Sequence, residues 1–296
     1  MKKPLIAAAI SMALAANAQA ETQFYGKMNV SFNYLDTDPQ FSIGSHASRL
    51  GVKGSEDLGT TKVIYQAEYE TDIDGDGTVF KQRDSFVGLQ YAGFGSIKMG
   101  IMDTPLKKSQ GKFDLFNDVV DIKNVLGGEK RLGNSLNYTT EKFGALQASV
   151  SYVMMEDNTG VADDGISASL TFKQDNIYAA VAMDSKTEDA DTSTIRGTVI
   201  VKSGDLTFGA LVNNVDASDT TDDELGFAVN AAMKMGSNTA KVQFVSGDQQ
   251  AAGATNISVG VDHKMAKTTK AYVYLNQFDS DASDQMAVTF GLEHKF

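Results

Sequence analysis

The feature that most constrains this chain is a two-residue alternation of apolar and polar side chains, which recurs from one end to the other. Near the start, Phe24, Gly26, Met28, Val30, Phe32 and Tyr34 alternate with Tyr25, Lys27, Asn29, Ser31 and Asn33. Similar runs carry Ile166, Ala168, Leu170 and Phe172, then Leu225, Phe227, Val229, Ala231 and Met233, and finally Met286, Val288, Phe290 and Leu292. Successive side chains of a strand point to opposite faces, so each run reads as a strand with one apolar and one polar face. Two architectures fit. A soluble sandwich hides the apolar face inside, whereas a membrane barrel turns it to lipid and keeps the polar face for a wet lumen.

The connections favour the barrel. Short Gly-, Asn- and Asp-rich turns fall at 56–59, 93–95, 141–144, 174–176, 203–205, 236–238 and 266–268, where such residues supply the backbone that a tight hairpin needs. Between them lie longer polar segments at 36–46, 72–81, 103–131, 156–164, 184–192, 216–224, 247–253 and 279–284. Seven tight and eight long connections imply sixteen strands, with short turns on one rim and long loops on the other, as in outer-membrane barrels. Beyond the first few residues only Pro39 and Pro105 occur, both in long loops, so no ladder loses a donor to proline. Helical periodicity is confined to part of 110–124. Nothing splits the chain, which reads as a single domain over 21–296.

The first twenty residues differ from the rest. Lys2 and Lys3 precede an apolar stretch from Pro4 to Ala16, and Ala18 and Ala20 occupy the small-residue positions of a cleavage site. This is a secretory signal peptide pattern over 1–20, giving a mature chain that starts at Glu21. The formal charge of −12 becomes −14 when Lys2 and Lys3 are lost. An acidic chain is a poor match to a nucleic-acid binder. The absence of cysteine excludes a disulfide scaffold or a thiolate metal site. No apolar run reaches the roughly 18 residues of a membrane-spanning helix. Three scattered histidines, His46, His263 and His294, offer no ligand spacing, and neither a metal nor a cofactor is expected. Asp72 to Gly77 resembles the start of a calcium loop, but its twelfth position is Arg83 where a bidentate Glu is required.

Several short motifs, in order and at fitting intervals, carry a resemblance. They are Phe24-Tyr25-Gly26-Lys27, Ser48-Arg49-Leu50-Gly51-Val52-Lys53-Gly54 and Arg83-Asp84-Ser85-Phe86-Val87-Gly88-Leu89. Phe94-Gly95-Ser96-Ile97-Lys98-Met99-Gly100, Asp103-Thr104-Pro105-Leu106 and the closing His294-Lys295-Phe296 follow. On these the chain resembles a general diffusion porin of the Gram-negative outer membrane. The resemblance implies an all-β, 16-stranded antiparallel barrel, usually a homotrimer, embedded in outer-membrane lipid and lipopolysaccharide. Its third long loop folds inward and narrows a pore for ions and small hydrophilic solutes, with no enzymatic chemistry.

By the same motif match, Lys27, Arg49, Lys53, Arg83 and Arg131 form a basic wall at the constriction. Alternation places Lys27, Arg49 and Lys53 on the polar register. Arg83 shares a parity with Val87 and Leu89, so a bulge or a strand end is needed to turn it inward. The 103–131 loop is the longest connection, and its Phe113, Leu115, Phe116, Val119, Val120, Ile122 and Val125 suit packing against an inner wall. Its acids Asp114, Asp118 and Asp121 would share one face if the segment made a helical turn. Opposed charges across a narrow pore sort solutes by sign. Lys107, Lys108, Lys112 and Lys123 leave the net sign of this loop open. Acids in the outer loops, among them Asp163, Asp164, Asp216, Asp219, Asp222, Asp223 and Glu224, predict a weak cation preference. The alternatives are a phospholipase-like barrel hydrolase using His46 and Ser48, and a soluble β-sandwich.

Overall fold

The structure is a computed structural model that describes residues 20–37, 39–75, 77, 79–154, 164–187, 192–217 and 224–296. Sixteen strands run through the described residues. They are β1 (Ala20–Leu35), β2 (Gln40–Ser45 and Arg49–Asp57), β3 (Thr61–Glu70) and β4 (Lys81–Gln82 and Ser85–Tyr91). Next come β5 (Gly95–Asp103), β6 (Arg131–Thr140), β7 (Leu146–Val153), β8 (Gly165–Gln174), β9 (Ile177–Ser185) and β10 (Thr192–Ser203). The last six are β11 (Leu206–Ala217), β12 (Glu224–Met235), β13 (Asn238–Gly247), β14 (Ala254–Lys264), β15 (Thr269–Ser280) and β16 (Ser283–Lys295). Each pairs antiparallel with its sequence neighbours. β16 also pairs with β1, from Lys27 opposite Lys295 to Leu35 opposite Ala287, and this closes the sheet into a barrel without free edges.

Adjacent residues show which face is which. In β10, Ile195 is 63% exposed and its neighbour Arg196 is 0% exposed. Phe24, Leu89, Val181, Phe227, Val273 and Phe290 likewise stand exposed on the outer face, while Asn29, Ser31, Asn213 and Thr289 are buried on the inner one. A water-soluble sandwich would hide the apolar set. Here it forms the outer surface, as lipid contact requires. Among the described residues no helix is long and apolar enough to cross a membrane; the crossing elements are strands.

Two of the connections expected to be long are tight. β1 and β2 are joined by residues 36–39, and β15 and β16 by 281–282, with Ser280 opposite Ser283. Asp279 and Asp284 therefore sit in paired strands. Both faces of a strand are wetted beyond the membrane, so polarity there does not mark a loop. Segments 155–163, 188–191 and 218–223 are outside the described residues, and with them Asp163, Asp219, Asp222 and Asp223.

Three strands carry an extra residue, one of them β6, where Gly133 and Asn134 oppose the single Ile101 of β5. Val30 faces Ser45 and Lys27 faces Arg49, so Met28 and Asn29 of β1 oppose His46, Ala47 and Ser48 of β2. In β4, Gln66 faces Phe86 and Tyr69 faces Gln82, so Ala67 and Glu68 of β3 oppose Arg83, Asp84 and Ser85 of β4. Such a bulge reverses the in–out parity of everything beyond it.

Candidate functional site: the interior of the barrel

Residues 104–130 connect β5 to β6 and pack on the inner face of the wall. The segment opens with a one-turn helix α1 (Pro105–Ser109), capped by Thr104, whose side chain accepts from the Lys107 N–H at 3.1 Å. Lys107 and Lys108 sit in its last turn. The remainder is turns, with a short 3₁₀ stretch at Ile122–Asn124. No helical turn spans 114–121, so the three loop acids do not share a face. The local hydrogen bonds of aspartate explain this. Asp114 accepts from the N–H groups of Phe116 and Ile122, each at 3.1 Å, and folds the loop back on itself. Asp121 caps the 3₁₀ turn by accepting from the Lys123 N–H at 3.0 Å.

The loop is anchored along one arc of the wall. The Leu106 N–H donates to Ser167 of β8, and Tyr178 of β9 donates to the Ser109 carbonyl. On β10, Arg196 pairs with Glu129, donates to the Gly127 carbonyl at 2.8 Å and donates to Asn213 Oδ1 at 3.0 Å. Asn230 of β12 donates to the Phe113 carbonyl at 2.5 Å. Gln243 of β13 both accepts from the Leu115 N–H and donates to Asp114. Lys241 donates to the Leu115 carbonyl at 2.7 Å, with its ammonium over the Phe116 and Tyr274 rings. Between these polar anchors, Phe113, Ile122, Val125 and Leu126 bury themselves against Leu211, Ala228 and Val245. Each fully buried apolar side chain contributes about 1.5–3 kcal/mol. Glycines make the room: a Cβ at Gly209 would lie 2.9 Å from the Phe113 ring, and one at Gly226 2.4 Å from Leu126.

The tip of the loop reaches the other arc. Asp118 adopts a left-handed backbone (φ 73°), which Asp tolerates better than most residues, and its carboxylate meets Lys27 of β1 at 2.5 Å. Burial raises the affinity of Asp118 for a proton. The Lys27 ammonium, with Arg49 and Arg83 nearby, outweighs this and holds the carboxyl below the usual carboxylate range. For Asp114, burial with Asp121 alongside wins over its hydrogen-bond donors and pushes the carboxyl up to about 7. Burial also raises Glu129, to about 6, against the pull of Arg196.

The five wall bases all come to the inner face, where Arg49 and Arg83 share Glu68 and the other three have partners of their own. Lys27 takes Asp118. Arg49 lies 3.9 Å from Glu68. Arg83, turned inward by its bulge, takes Glu68 at 2.6 Å and Glu70 at 2.5 Å. Arg131 takes Asp84 at 2.8 Å and Asp103 at 2.9 Å. Lys53 lies over the Tyr25 ring at 5.0 Å and is exposed, four residues nearer the short-turn rim than Arg49. The wall here is a mixed ladder, with acids Glu68, Glu70, Asp84 and Asp103 between the bases. Of the three loop acids, only Asp118 meets a base of this ladder. Sequence reading also missed Arg196, Lys241 and the wall acids. Arg196, Lys241, Glu68 and Glu70 stand on the polar register of their strands, so alternation alone could have flagged them.

His46 and Ser48 form no dyad. Both lie in the β2 bulge, where the Ser48 hydroxyl donates to the Asn29 carbonyl at 3.2 Å and accepts from the Asn29 N–H at 2.9 Å. His46 Nε2 lies 2.5 Å from the Ser31 hydroxyl. No cluster of metal-ligating side chains occurs among the described residues.

Comparison with known proteins joins this geometry to a family. The sequence model of the Gram-negative porin family matches residues 5–283. The chain belongs to the Gram-negative porin family. The major outer membrane protein P.IB of Neisseria meningitidis serogroup B is 25% identical over 341 residues, covering all of both chains. Its Neisseria gonorrhoeae counterpart is 30% identical over 202 residues, which span 62% of this porin and 56%, little more than half, of the gonococcal protein. Among solved structures, the anion-selective porin from Comamonas acidovorans superposes with a TM-score of 0.82 at 23% identity, over 94% of this chain and all of that one. The OmpF of Salmonella typhi, in complex with daunomycin, gives 0.78 at 18% identity, over 94% and 98%. The barrel is thus an outer-membrane porin fold, with the closed 16-stranded wall expected of it.

Proposed function

We propose that this porin passes ions and small hydrophilic solutes by diffusion through the space between the loop tip at Asp118 and the charged arc of β1 to β6. The observation that carries this reading is the Lys27–Asp118 contact. One end of the loop is buried on β8 to β15, so the tip stands across the lumen from that anchorage, at the ladder of Arg49, Glu68, Arg83 and Glu70. No bond is made or broken in such transport. Selectivity comes from size and from the local balance of fixed charge. Bases and acids nearly balance in the ladder, which supports weak discrimination at the constriction. The cation preference expected from the outer acids rests largely on residues outside the described ones.

The working form in this reading is a homotrimer set in outer-membrane lipid and lipopolysaccharide, delivered through the periplasm after removal of residues 1–20. The structure of OmpT from Vibrio cholerae, 15% identical with a TM-score of 0.70, has a trimer form and supports the assembly by analogy. Residues 1–19 are outside the described residues. Reconstitution in a planar bilayer tests channel and assembly together. Stepwise conductance in groups of three is expected. A protein that binds the bilayer without conducting would refute the channel, and single independent steps would refute the trimer.

A further inference from the structure

The short-turn mouth of the barrel repeats one feature five times. Each even-numbered strand from β8 to β16 ends at that rim, and each has a lysine at the same place: Lys173, Lys202, Lys234, Lys264 and Lys295. Their equivalence is geometric. Their backbone N–H groups donate in turn to the carbonyls of Ala145, Asn176, Asp205, Ser237 and Thr268, the residues of the preceding short turn. All five occupy the inner register. Two residues above them stand Thr171, Ile200, Ala232, Asp262 and Glu293, and further up the same faces lie buried Ser167, Arg196, Asn230, Ser258 and Thr289.

Neighbouring strands lie about 4.8 Å apart, so lysines on alternate strands are spaced by roughly 10 Å. That is close to the Debye length of about 10 Å at 0.1 M salt, and their fields overlap across the mouth. Counter-charge is sparse on this register. Lys295 is paired with Glu293 at 3.0 Å, and Asp262 is shared between Lys241 and Lys270. Among the described residues no acid lies within ion-pair distance of Lys173, Lys202, Lys234 or Lys264, although Asp175 and Asp205 stand at the tips of two of the turns. At the β14–β15 turn the arc thickens. Lys264, Lys267, Lys270 and Lys295, with Thr268 and Thr269, outnumber the acids Asp262 and Glu293 in the lining of a cavity of about 240 Å³. A water occupies about 30 Å³ of liquid, so this cavity has room for an oxyanion with part of its hydration shell.

We propose that the lysine arc makes the short-turn mouth an anion-collecting vestibule. Small oxyanions such as inorganic phosphate concentrate there, and anion current through the pore depends on the side from which anions enter. The proposal rests on the channel reading above. Outer-membrane barrels carry their short turns on the periplasmic side, so the vestibule faces the periplasm.

The test is single-channel recording with known orientation. The chain has no cysteine, so Thr60→Cys on a short turn away from the arc reports orientation through a one-sided impermeant thiol reagent. At 0.1 M KCl, chloride current entering from the short-turn side should exceed the opposite current by about twofold, a modest share of the tenfold or larger enrichment that focused fields produce. In 1 M KCl, where the Debye length is about 3 Å, the two should become equal. Inorganic phosphate should compete with chloride at lower concentration from the short-turn side. Joint Lys173→Gln, Lys202→Gln, Lys234→Gln and Lys264→Gln substitution should abolish the asymmetry, and the four Lys→Arg changes should keep it. Symmetric current at 0.1 M KCl, equal phosphate effects from both sides, or asymmetry that survives in the Gln variant would each overturn the vestibule. A protein with no conductance at all would overturn the channel reading itself.

Discussion

The two arcs of the inner wall are built from the same alternating strands and do opposite things. The arc from β8 to β15 is covered. Many of its inner residues are small or uncharged, such as Ala228, Asn230 and Gln243, and its bases Arg196 and Lys241 are buried and bonded to the loop. The arc from β1 to β6 is a ladder of paired charges, with Arg49 still 23% exposed along its side chain. One arc provides a dry seat for the loop, and the other stands across from the loop tip. The difference shows that polarity of a lumen face does not by itself make it a solute path. The same polar register can hold protein or water, depending on whether its residues leave room and donors for an incoming segment.

The largest effect that separates the arcs should come from their arginines. Arg196→Met removes one partner of a buried pair and leaves Glu129 enclosed, which costs about 3–5 kcal/mol in such cases. Melting in detergent should fall well below that of Arg83→Gln, which leaves Glu68 still beside Arg49 and Glu70 partly exposed. Equal melting of the two variants would erase the distinction.

A smaller effect comes from pH, and its sign differs within the loop. The docked loop raises Asp114 to about 7 and Glu129 to about 6, so it binds protons more tightly than a released loop does. The resulting stabilisation is fully present below the ordinary carboxylate pKa and is lost as pH rises through 6 to 7. Asp118 acts in reverse: its link to Lys27 holds above the ordinary carboxylate pKa and is lost as pH falls through its depressed value. Amide exchange over 113–126, corrected for its intrinsic pH dependence, should be roughly tenfold faster at pH 8 than at pH 5.5. Asp114→Asn should remove most of that change. A pH-independent exchange rate would mean that the covered arc is not dry.

The smallest expected effect is at Lys53. It is exposed and makes only a ring contact with Tyr25, so Lys53→Gln should change stability by no more than about 0.5–1 kcal/mol. A change in conductance as large as that at Arg83 would extend the charged ladder toward the short-turn rim.

Much of this was legible in the sequence, for a physical reason. The period of two is a direct imprint of lipid on one face and a polar interior on the other, so strand positions and the inward placement of Lys27, Arg49 and Lys53 follow from counting. What counting cannot see is an inserted residue. Arg83 is on the wrong parity until the β4 bulge is known. The loop acids failed differently. Spacing places Asp114, Asp118 and Asp121 together only on a helix, and aspartates that bind their own backbone prefer turns and caps. The acid partners were hidden because diagonal neighbours across strands, such as Arg49 and Glu68, depend on register. The seating of the loop depends on gaps at Gly209 and Gly226 that only the folded wall defines.

The central claim is that the charged arc, not the covered one, decides which ions pass. Reversal potential across a KCl gradient in planar bilayers tests it most directly, with Arg49→Gln/Arg83→Gln compared against the unaltered porin. Removing both guanidiniums leaves Glu68 and Glu70 uncompensated beside the loop tip, so the potential should shift toward potassium preference. An unchanged potential in a variant that still inserts and conducts would contradict the account.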